Sequence, residues 1–352
     1  MASSDWRDGE DRGSDRPRRP DRRELLSSFA PEGETGDHWI SVHRPAMACR
    51  FSVTLAAADA RHVPAARAAL DEVDAIEARL TVFRETSELV GVNRRADREP
   101  VRVSGELFSV LERCRELHGE TGGAFDPTST PLSRCWGFLA RQGRVPSAEE
   151  IASARSRVGM EHVVLDAAER TVVFAVPGVE LNLGSVGKGW ALDRIAEKLR
   201  WRGLRRALLG AGGSSFRGWG REEWRLALRP GGELLGELVV RDAAVGVSGA
   251  GEQRFEAGGR RFGHVLDPRT GEPATGVRSA AAVADDAATA DALATALLVG
   301  GPALAARCCE SRPGTMALLV LDEAPATLHV FGARGGARIE PAAGIAAVVT
   351  PA

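Results

Sequence analysis

The stretch LNLGSVGKGWALD, residues 181–193, runs from apolar residues through a glycine-rich turn into the start of a helix. It contains Lys188, one of only two lysines among the 46 cationic side chains of this 352-residue chain. A strand that ends at Leu183, followed by three glycines and a helix over 190–200, would bring backbone amides close to a ligand. Lys188 adds a compact positive charge between two glycines. The stretch therefore predicts an anion site, although a plain strand-to-helix turn with an exposed lysine has the same pattern.

The stretch is not a nucleotide-binding P-loop. That motif needs a glycine five residues before the glycine that precedes the lysine, and a serine or threonine directly after the lysine. The first of these positions holds Asn182 and the second holds Gly189. Because both tests fail, the predicted anion site does not belong to that class of nucleotide-binding proteins.

Length and composition allow one large domain or two ordinary ones. The chain is 43% hydrophobic with a formal net charge of −2. It can therefore bury a core, and its overall charge offers no basis for binding nucleic acid or an anionic membrane surface. No stretch of the sequence predicts a membrane span. The sequence contains no tyrosine, so no tyrosine can act as a base or stack on a ligand.

The first 37 residues are polar, contain proline and carry charges of both signs. Such a composition predicts a disordered tail over 1–37, ahead of a single domain over 38–352. The tail has no apolar segment typical of an export signal. The five cysteines are scattered and form no Cys-x-x-Cys pair, which is typical of a reducing compartment. These features predict a cytoplasmic protein.

Periodicity predicts helices and strands in irregular alternation. Helical spacing of apolar residues covers 63–80 and 105–118, and a third helix over 289–301 ends at two glycines. Short strands are predicted at 51–56, 162–166, 171–175, 206–209, 224–228, 236–240, 244–247 and 279–284, with a hairpin of MALLVLD and ATLHVFG near the end. Because many of the strands form hairpin-like pairs, the fold class is α+β rather than doubly wound α/β.

Three further motifs contain side chains that could act in catalysis or in ligand binding. GHVLDPRTGEP (263–273) brings His264 near an acid, a base and a hydroxyl, and turn formation explains its Pro and Gly but not its histidine. TADALAT places Asp291 and Thr295 four residues apart, on one helical face, where two oxygen ligands suit Mg²⁺. An acid that favours the first helical turn and a core-facing threonine would explain the same pair. GGAFDPT (122–128) reads as a loop, either functional or a structural cap.

The order and wording of these motifs closely resemble the ApbE family of FAD:protein FMN transferases. The resemblance runs from about Met47 to the 290s and adds PLSRCWGF, LLGAGGSS and ADALATALLVGG to the motifs above. It implies a single T-fold-like α+β domain that binds FAD, with Mg²⁺ on the pyrophosphate. It further implies transfer of FMN to a serine or threonine hydroxyl of an acceptor flavoprotein, which forms a phosphoester and releases AMP.

The resemblance also assigns roles to individual residues. His264 is implied as the base for the acceptor hydroxyl. The implied metal ligands are Asp291, Thr295 and the backbone oxygen of Ser185. The implied FAD contacts are Met47, Ala124, Phe125, Asp126, Asn182, Lys188 and Val265.

The chain departs from the family pattern at two motifs. The family usually has aspartate where this chain has Asn182, and its MGT motif reads Met47-Ala48-Cys49 here. Many relatives are exported lipoproteins, whereas this sequence predicts a cytoplasmic protein. Two other functions use the same residues: an FAD pyrophosphatase with water as acceptor, and an FAD-binding carrier without turnover.

Overall fold

The computed structural model describes residues 26–28, 38–251 and 253–350. The strands within these ranges are short, and most are antiparallel to their neighbours. They are β1 (Leu26–Ser28), β2 (Trp39–Ala46), β3 (Cys49–Ala56), β4 (Val101–Arg102), β5 (Val163–Asp166), β6 (Thr171–Phe174), β7 (Ala207–Ala211), β8 (Ser215–Trp219), β9 (Trp224–Leu228), β10 (Gly236–Val240), β11 (Ala244–Gly249), β12 (Arg254–Ala257), β13 (Arg260–Gly263), β14 (Val277–Ala284), β15 (Met316–Leu321), β16 (Thr327–Phe331), β17 (Ala337–Pro341) and β18 (Ala346–Thr350).

Half of the α-helices within the described residues begin at a side chain that caps them. Ser87, Ser104 and Ser147 each accept a hydrogen bond from a backbone N–H of the first helical turn. The helices are α1 (Val63–Asp71), α2 (Val73–Leu80), α3 (Glu88–Arg95), α4 (Gly105–Glu120), α5 (Thr130–Cys135), α6 (Ala148–Arg155), α7 (Gly187–Trp201) and α8 (Ala287–Ser311).

A nine-stranded sheet organises the protein, in the order β18-β16-β15-β14-β11-β8-β7-β3-β2. A second sheet has the order β1-β9-β10-β17, and the smaller sheets are β4-β6-β5 and β12-β13. Side chains alternate between the faces of the large sheet, so Leu209 and Leu319 pack under the helices while Leu208 and Leu318 face the second sheet. The result is three layers: helices, large sheet and second sheet. The α+β prediction is confirmed.

Helix α8 lies in the core, against β11, β14 and α7. Among the described helices it alone is long and apolar enough to cross a membrane, with a mean hydropathy of 1.5 over 18 residues. The sequence analysis predicted no membrane span and did not single out this helix. Since 61% of this window lies buried inside the protein, its apolar character is explained by packing in the domain core.

Most predicted elements form where the sequence places them, but several differ. The helix predicted over 63–80 is divided into α1 and α2 at Glu72. No strand ends at Leu183, and α7 begins at Gly187 rather than at 190. Helix α8 does not end at its two glycines: its dihedral angles break at Gly301 (φ 61°), and it then continues to Ser311. β17 and β18 follow the predicted final hairpin.

The predicted tail lies largely outside the described residues. Of residues 1–37, the structure describes only β1, whose backbone pairs with β9 from Leu26 opposite Leu228 to Ser28 opposite Leu226.

Candidate active site

Lys188 lies in the first turn of α7, where a cation is unfavourable beside the positive end of the helix dipole. Its Nζ donates a hydrogen bond to Ser214 Oγ at 2.7 Å, and Ser214 follows two glycines that both have positive φ. Among the described residues Lys188 makes no ion pair. An ammonium has three N–H donors. The half-buried Lys188 therefore keeps donors for an anion next to the amides of a helix N-terminus.

Asp291 is buried and lies beside this helix start. Its Oδ2 accepts a hydrogen bond from the backbone N–H of Gly189 at 2.8 Å. Burial raises the pKa of the Asp291 carboxyl, and the positive charge of Lys188 acts in the opposite direction. A buried carboxylate is costly unless a cation compensates it, so a bound metal ion would relieve the cost of this arrangement.

Two glycines let α8 approach its neighbours closely enough to place Asp291. A Cβ on Gly189 would lie 2.0 Å from the carbonyl oxygen of Ala287, and one on Gly246 would lie 2.3 Å from that of Ala290. The sequence suggested that the glycines of the stretch 181–193, Gly189 among them, make room for a ligand. At position 189 the glycine instead makes room for the backbone of α8.

Gly189→Ala is therefore expected to destabilise the protein by about 1–3 kcal/mol, because backbone atoms must move to admit the methyl group. Gly187→Ala is the matched control, since a Cβ there meets no atom within 4 Å. In the same helix that change should be neutral or stabilising, by up to about 1 kcal/mol. Thermal or urea unfolding of both variants measures the difference, and equal stabilities would contradict the close contact.

Thr295 and Ser185 complete the predicted metal ligands. Thr295 Oγ1 lies 3.2 Å from Ser248 Oγ and 3.3 Å from the carbonyl oxygen of Asp291. Ser185 lies half-buried in the turn directly before α7. Within the described residues no group of three or more His, Cys, Asp or Glu side chains converges as a metal cluster. One carboxylate with hydroxyl and carbonyl oxygens is a sparse, hard donor set, which fits Mg²⁺ better than zinc.

The GGAFDPT loop meets the opening stretch. Asn182 donates its backbone N–H to the carbonyl oxygen of Pro127 at 2.7 Å, and its Oδ1 accepts from the N–H of Gly184 at 2.9 Å. Ala124 and Phe125 are each only 1% exposed, so both residues are packed in the core. The loop is therefore both anchored in the core and joined to the turn before Lys188.

Asp126 is held by a buried network in the same loop. Its Oδ1 accepts hydrogen bonds from the backbone N–H and the hydroxyl of Thr128, at 2.8 and 2.5 Å. Its Oδ2 lies 3.2 Å from His118 Nε2. The hydrogen bond with Asp126 raises the pKa of His118 above the ordinary value of 6.5.

This pair gives the stability a pH dependence of defined sign. The protonated form of His118 is favoured by folding, so its contribution is complete below pH 6.5 and is lost as the pH rises through the raised pKa. The melting temperature of wild type should exceed that of His118→Gln by a few degrees at pH 6, and the difference should shrink by pH 9. A difference independent of pH would contradict the ion pair.

His264 lies at the open end of the β12–β13 hairpin. Its backbone N–H donates to the carbonyl oxygen of Gln253 at 3.0 Å, and its ring Nδ1 lies 3.2 Å from the same oxygen. Because a carbonyl oxygen only accepts hydrogen bonds, this contact favours the tautomer with the proton on Nδ1. Nε2 then carries the lone pair that a base needs.

The turn after His264 adjoins the GGAFDPT loop. A Cβ on Gly123 would lie 3.6 Å from Arg269 Cγ, and Arg269 forms a bidentate pair with Asp267. Val265 is half-buried and packs against the main core. The two motifs are therefore neighbours in the fold, as the sequence reading requires.

Met47 lies at the tip of the β2–β3 hairpin. Met47 and Ala48 both have positive φ, at 49° and 55°, which non-glycine residues seldom adopt. The backbone N–H of Met47 donates to Glu77 Oε2 at 2.9 Å. The next residue, Cys49, touches the Gly212 backbone, because a Cβ on Gly212 would lie 2.9 Å from Cys49 Cβ. The hairpin thus adjoins the loop that carries Ser214.

Fold and site together define an α+β protein in which a buried carboxylate contacts the start of a helix next to a lysine. The ApbE family model matches residues 47–320, and the chain belongs to the ApbE family.

Curated relatives and solved structures agree with this family. The chain is 32% identical to the FAD:protein FMN transferase of Vibrio cholerae, over 65% of this chain and 71% of the relative. It is 33% identical to that of Treponema pallidum, over 73% and 78%. The crystal structure of the ApbE protein of Thermotoga maritima superposes with a TM-score of 0.74 at 28% identity, covering 87% of this chain and 97% of that one. The flavin transferase ApbE of Vibrio cholerae, at 24% identity and a TM-score of 0.71, shares the fold.

Proposed function

We propose that this protein transfers the FMN part of FAD to a serine or threonine hydroxyl of an acceptor flavoprotein. The acceptor oxygen forms a bond to the FMN phosphorus, the pyrophosphate P–O bond breaks, and AMP leaves with the electron pair of that bond. The observation that carries the proposal is the contact of the buried Asp291 carboxylate with the start of α7 next to Lys188, with Thr295 one turn further along α8. The name of the curated relatives, FAD:protein FMN transferase, supports the same reaction.

The site suits a ligand with a pyrophosphate. Lys188 and the amides at the start of α7 neutralise negative charge next to the phosphorus that is attacked. Asp291, Thr295 and the backbone oxygen of Ser185 would hold Mg²⁺, which would supply further charge neutralisation on the pyrophosphate. The burial of the Asp291 carboxylate supports this assignment.

His264 takes the proton of the acceptor hydroxyl. A hydroxyl is a weak nucleophile until a base removes its proton. The contact between Nδ1 and the Gln253 carbonyl leaves Nε2 as the basic nitrogen and fixes the plane of the ring. Gln253 itself is held through its side chain, which donates to the carbonyl oxygen of Phe138 at 2.8 Å.

The remaining predicted contacts bind FAD from three loops. Ala124 and Phe125 are buried residues of the loop in which Asp126 is fixed by Thr128. Met47 and Val265 offer half-buried apolar surface. Asn182 presents a neutral amide where the family usually has a carboxylate, so its contact with the flavin or the adenosine differs in charge.

A direct assay tests the proposal and separates it from the alternatives. Purified protein is incubated with FAD, Mg²⁺ and the proteins encoded nearby, and the gel is scanned for flavin fluorescence before mass spectrometry. Transfer gives an acceptor heavier by one FMN less one water, and an equal amount of AMP. A pyrophosphatase gives free FMN and AMP without a labelled protein. A carrier gives neither product.

Domain boundaries and location are part of the proposal. We place the transferase domain at 38–352 and the protein in the cytoplasm. No disulfide joins any of the five cysteines, all of which lie within the described residues, and this is typical of a reducing compartment. Cell fractionation with an antibody tests the location, and recovery from an oxidising, extracytoplasmic fraction would contradict it.

A further inference from the structure

Asp193 is a buried carboxylate that the proposed reaction does not use. It lies on α7, and its side chain is only 14% exposed. It borders a cavity of about 580 Å³ that contains none of the predicted site residues. Burial raises the pKa of Asp193 to about 6, so at neutral pH its charged form is kept against a desolvation cost. Hydrogen bonds to the charged carboxylate would offset this desolvation cost.

Both carboxylate oxygens of Asp193 bind the start of α8. Oδ1 accepts the backbone N–H of Ala287 and Oδ2 accepts that of Ala288, each at 2.9 Å. These donors belong to the first turn of α8, where no partner exists within the helix. Arg217 is the nearby cation, with its Nε 3.9 Å from Oδ1. Asp193 therefore fixes the beginning of α8 to α7 in two places.

The contact between the two helices is reciprocal. Asp193 on α7 caps the N-terminus of α8, while Asp291 on α8 accepts the N–H of Gly189 in the first turn of α7. The missing side chain at Gly189 allows this spacing, since a Cβ there would strike Ala287. Because Lys188 lies next to Gly189, the same contacts set the position of Asp291 relative to Lys188.

We propose that Asp193 is a positioning residue for the metal site. Its two hydrogen bonds to the first turn of α8 hold the Asp291 carboxylate at the distance from Lys188 that metal binding requires. The inference rests on the proposed role of Asp291 as a metal ligand. It assigns Asp193 no contact with substrate or metal.

The test is Asp193→Asn, compared with Asp286→Asn as a matched control. The amide in Asp193→Asn would keep one acceptor oxygen but turn its NH₂ toward the other backbone N–H. One of the two hydrogen bonds to α8 would therefore be lost. Asp286 is the ordinary N-cap of the same helix, and its Oδ1 accepts the N–H of Thr289 at 2.8 Å. Asn caps a helix about as well as Asp, so the control removes one negative charge at the same helix end without loosening α8 from α7.

The first readout is Mn²⁺ binding to the full chain in the presence of FAD, followed by electron paramagnetic resonance. Groups that orient a metal ligand typically contribute 10–100-fold to metal affinity. Asp193→Asn should therefore weaken Mn²⁺ binding by about 10–100-fold, and Asp286→Asn by less than about 2-fold. The second readout is the Mg²⁺ concentration for half-maximal transfer. It should rise in Asp193→Asn, and saturating Mg²⁺ should restore most of kcat.

Asp193→Glu provides a second variant in case Asp193→Asn does not fold. It keeps the charge but lengthens the side chain, so it displaces α8 and should also weaken Mn²⁺ binding. A lowered melting temperature with Mn²⁺ affinity within about 2-fold of wild type, in whichever variant folds, would overturn the inference and leave Asp193 a structural cap. Unchanged Mn²⁺ binding in Asp291→Ala would instead refute the proposed metal site itself.

Discussion

Asp291→Asn is expected to abolish FMN transfer while the fold stays intact or becomes slightly more stable. Burial raises the pKa of Asp291, so its charged form costs folding free energy. Asparagine removes that cost, and its amide oxygen can still accept the Gly189 N–H. Charge stabilisation by a metal contributes several kcal/mol, so the transfer rate should fall on the order of 10³-fold or more.

Three measurements on this variant separate charge from packing. Transfer is followed by mass spectrometry, metal affinity by Mn²⁺ resonance, and stability by thermal unfolding. Asp322→Asn is the control, because Asp322 is an exposed carboxylate at the end of β15 and should change none of the three. Full transfer by Asp291→Asn in the presence of a chelator would show that Asp291 is not a metal ligand. A large loss of stability would show that its charge is structural.

Where one face of an element is buried, the sequence predicts the element well. The strands predicted at 224–228 and 236–240 coincide with β9 and β10, in which every second side chain packs toward the large sheet. Helix α4 begins directly after Ser104, whose hydroxyl accepts the N–H of Leu107. In these cases local periodicity and tertiary burial point in the same direction.

The strand predicted to end at Leu183 shows why such readings fail. The leucines of this run are buried as they would be in a strand. Its backbone, however, forms hydrogen bonds with a side chain and not with another strand. Asn93 donates to the carbonyl oxygen of Leu181 and accepts the N–H of the same residue, each at 2.9 Å. The Asn93 side chain makes the two hydrogen bonds that a neighbouring strand would otherwise make, and it lies 88 residues away in the sequence. Such a partner leaves no periodic signal in the sequence. The break at Glu72 is equally hidden, because apolar spacing continues from α1 into α2.

The sequence predicts the individual residues of the candidate site, but it does not predict the residues that hydrogen-bond to them. Lys188, Asp291 and Thr295 stand out because their types and spacing suit an anion and a metal. Ser214, which binds Lys188, lies in LLGAGGSS, and Ser248, which binds Thr295, directly follows the strand predicted at 244–247. Nothing in the sequence pairs them with those residues. Asp193 ends the opening stretch itself, but its partners on α8 lie 94 and 95 residues further along. Long-range hydrogen bonds of this kind require the fold.

His264→Ala is expected to lower the rate of FMN transfer by about 10²–10⁴-fold while FAD affinity is retained, because a general base acts on the acceptor hydroxyl and not on the bound dinucleotide. The Gln253 carbonyl holds the ring by Nδ1 and favours the tautomer with its lone pair on Nε2. FAD affinity is measured by fluorescence quenching and covalent FMN on the acceptor by mass spectrometry.

The comparison with His329→Ala makes this result specific to position 264. His329 is a half-buried histidine on β16, and its Nε2 lies 3.1 Å from Glu323 Oε1, so its loss removes an ordinary ion-pair partner. That variant should transfer FMN at close to the wild-type rate. If His264 served only the packing of the β12–β13 hairpin, His264→Ala would lower melting temperature and FAD affinity together. If it flavinylated the acceptor at the wild-type rate, another group would have to take the proton, and the proposed role of Nε2 would be wrong.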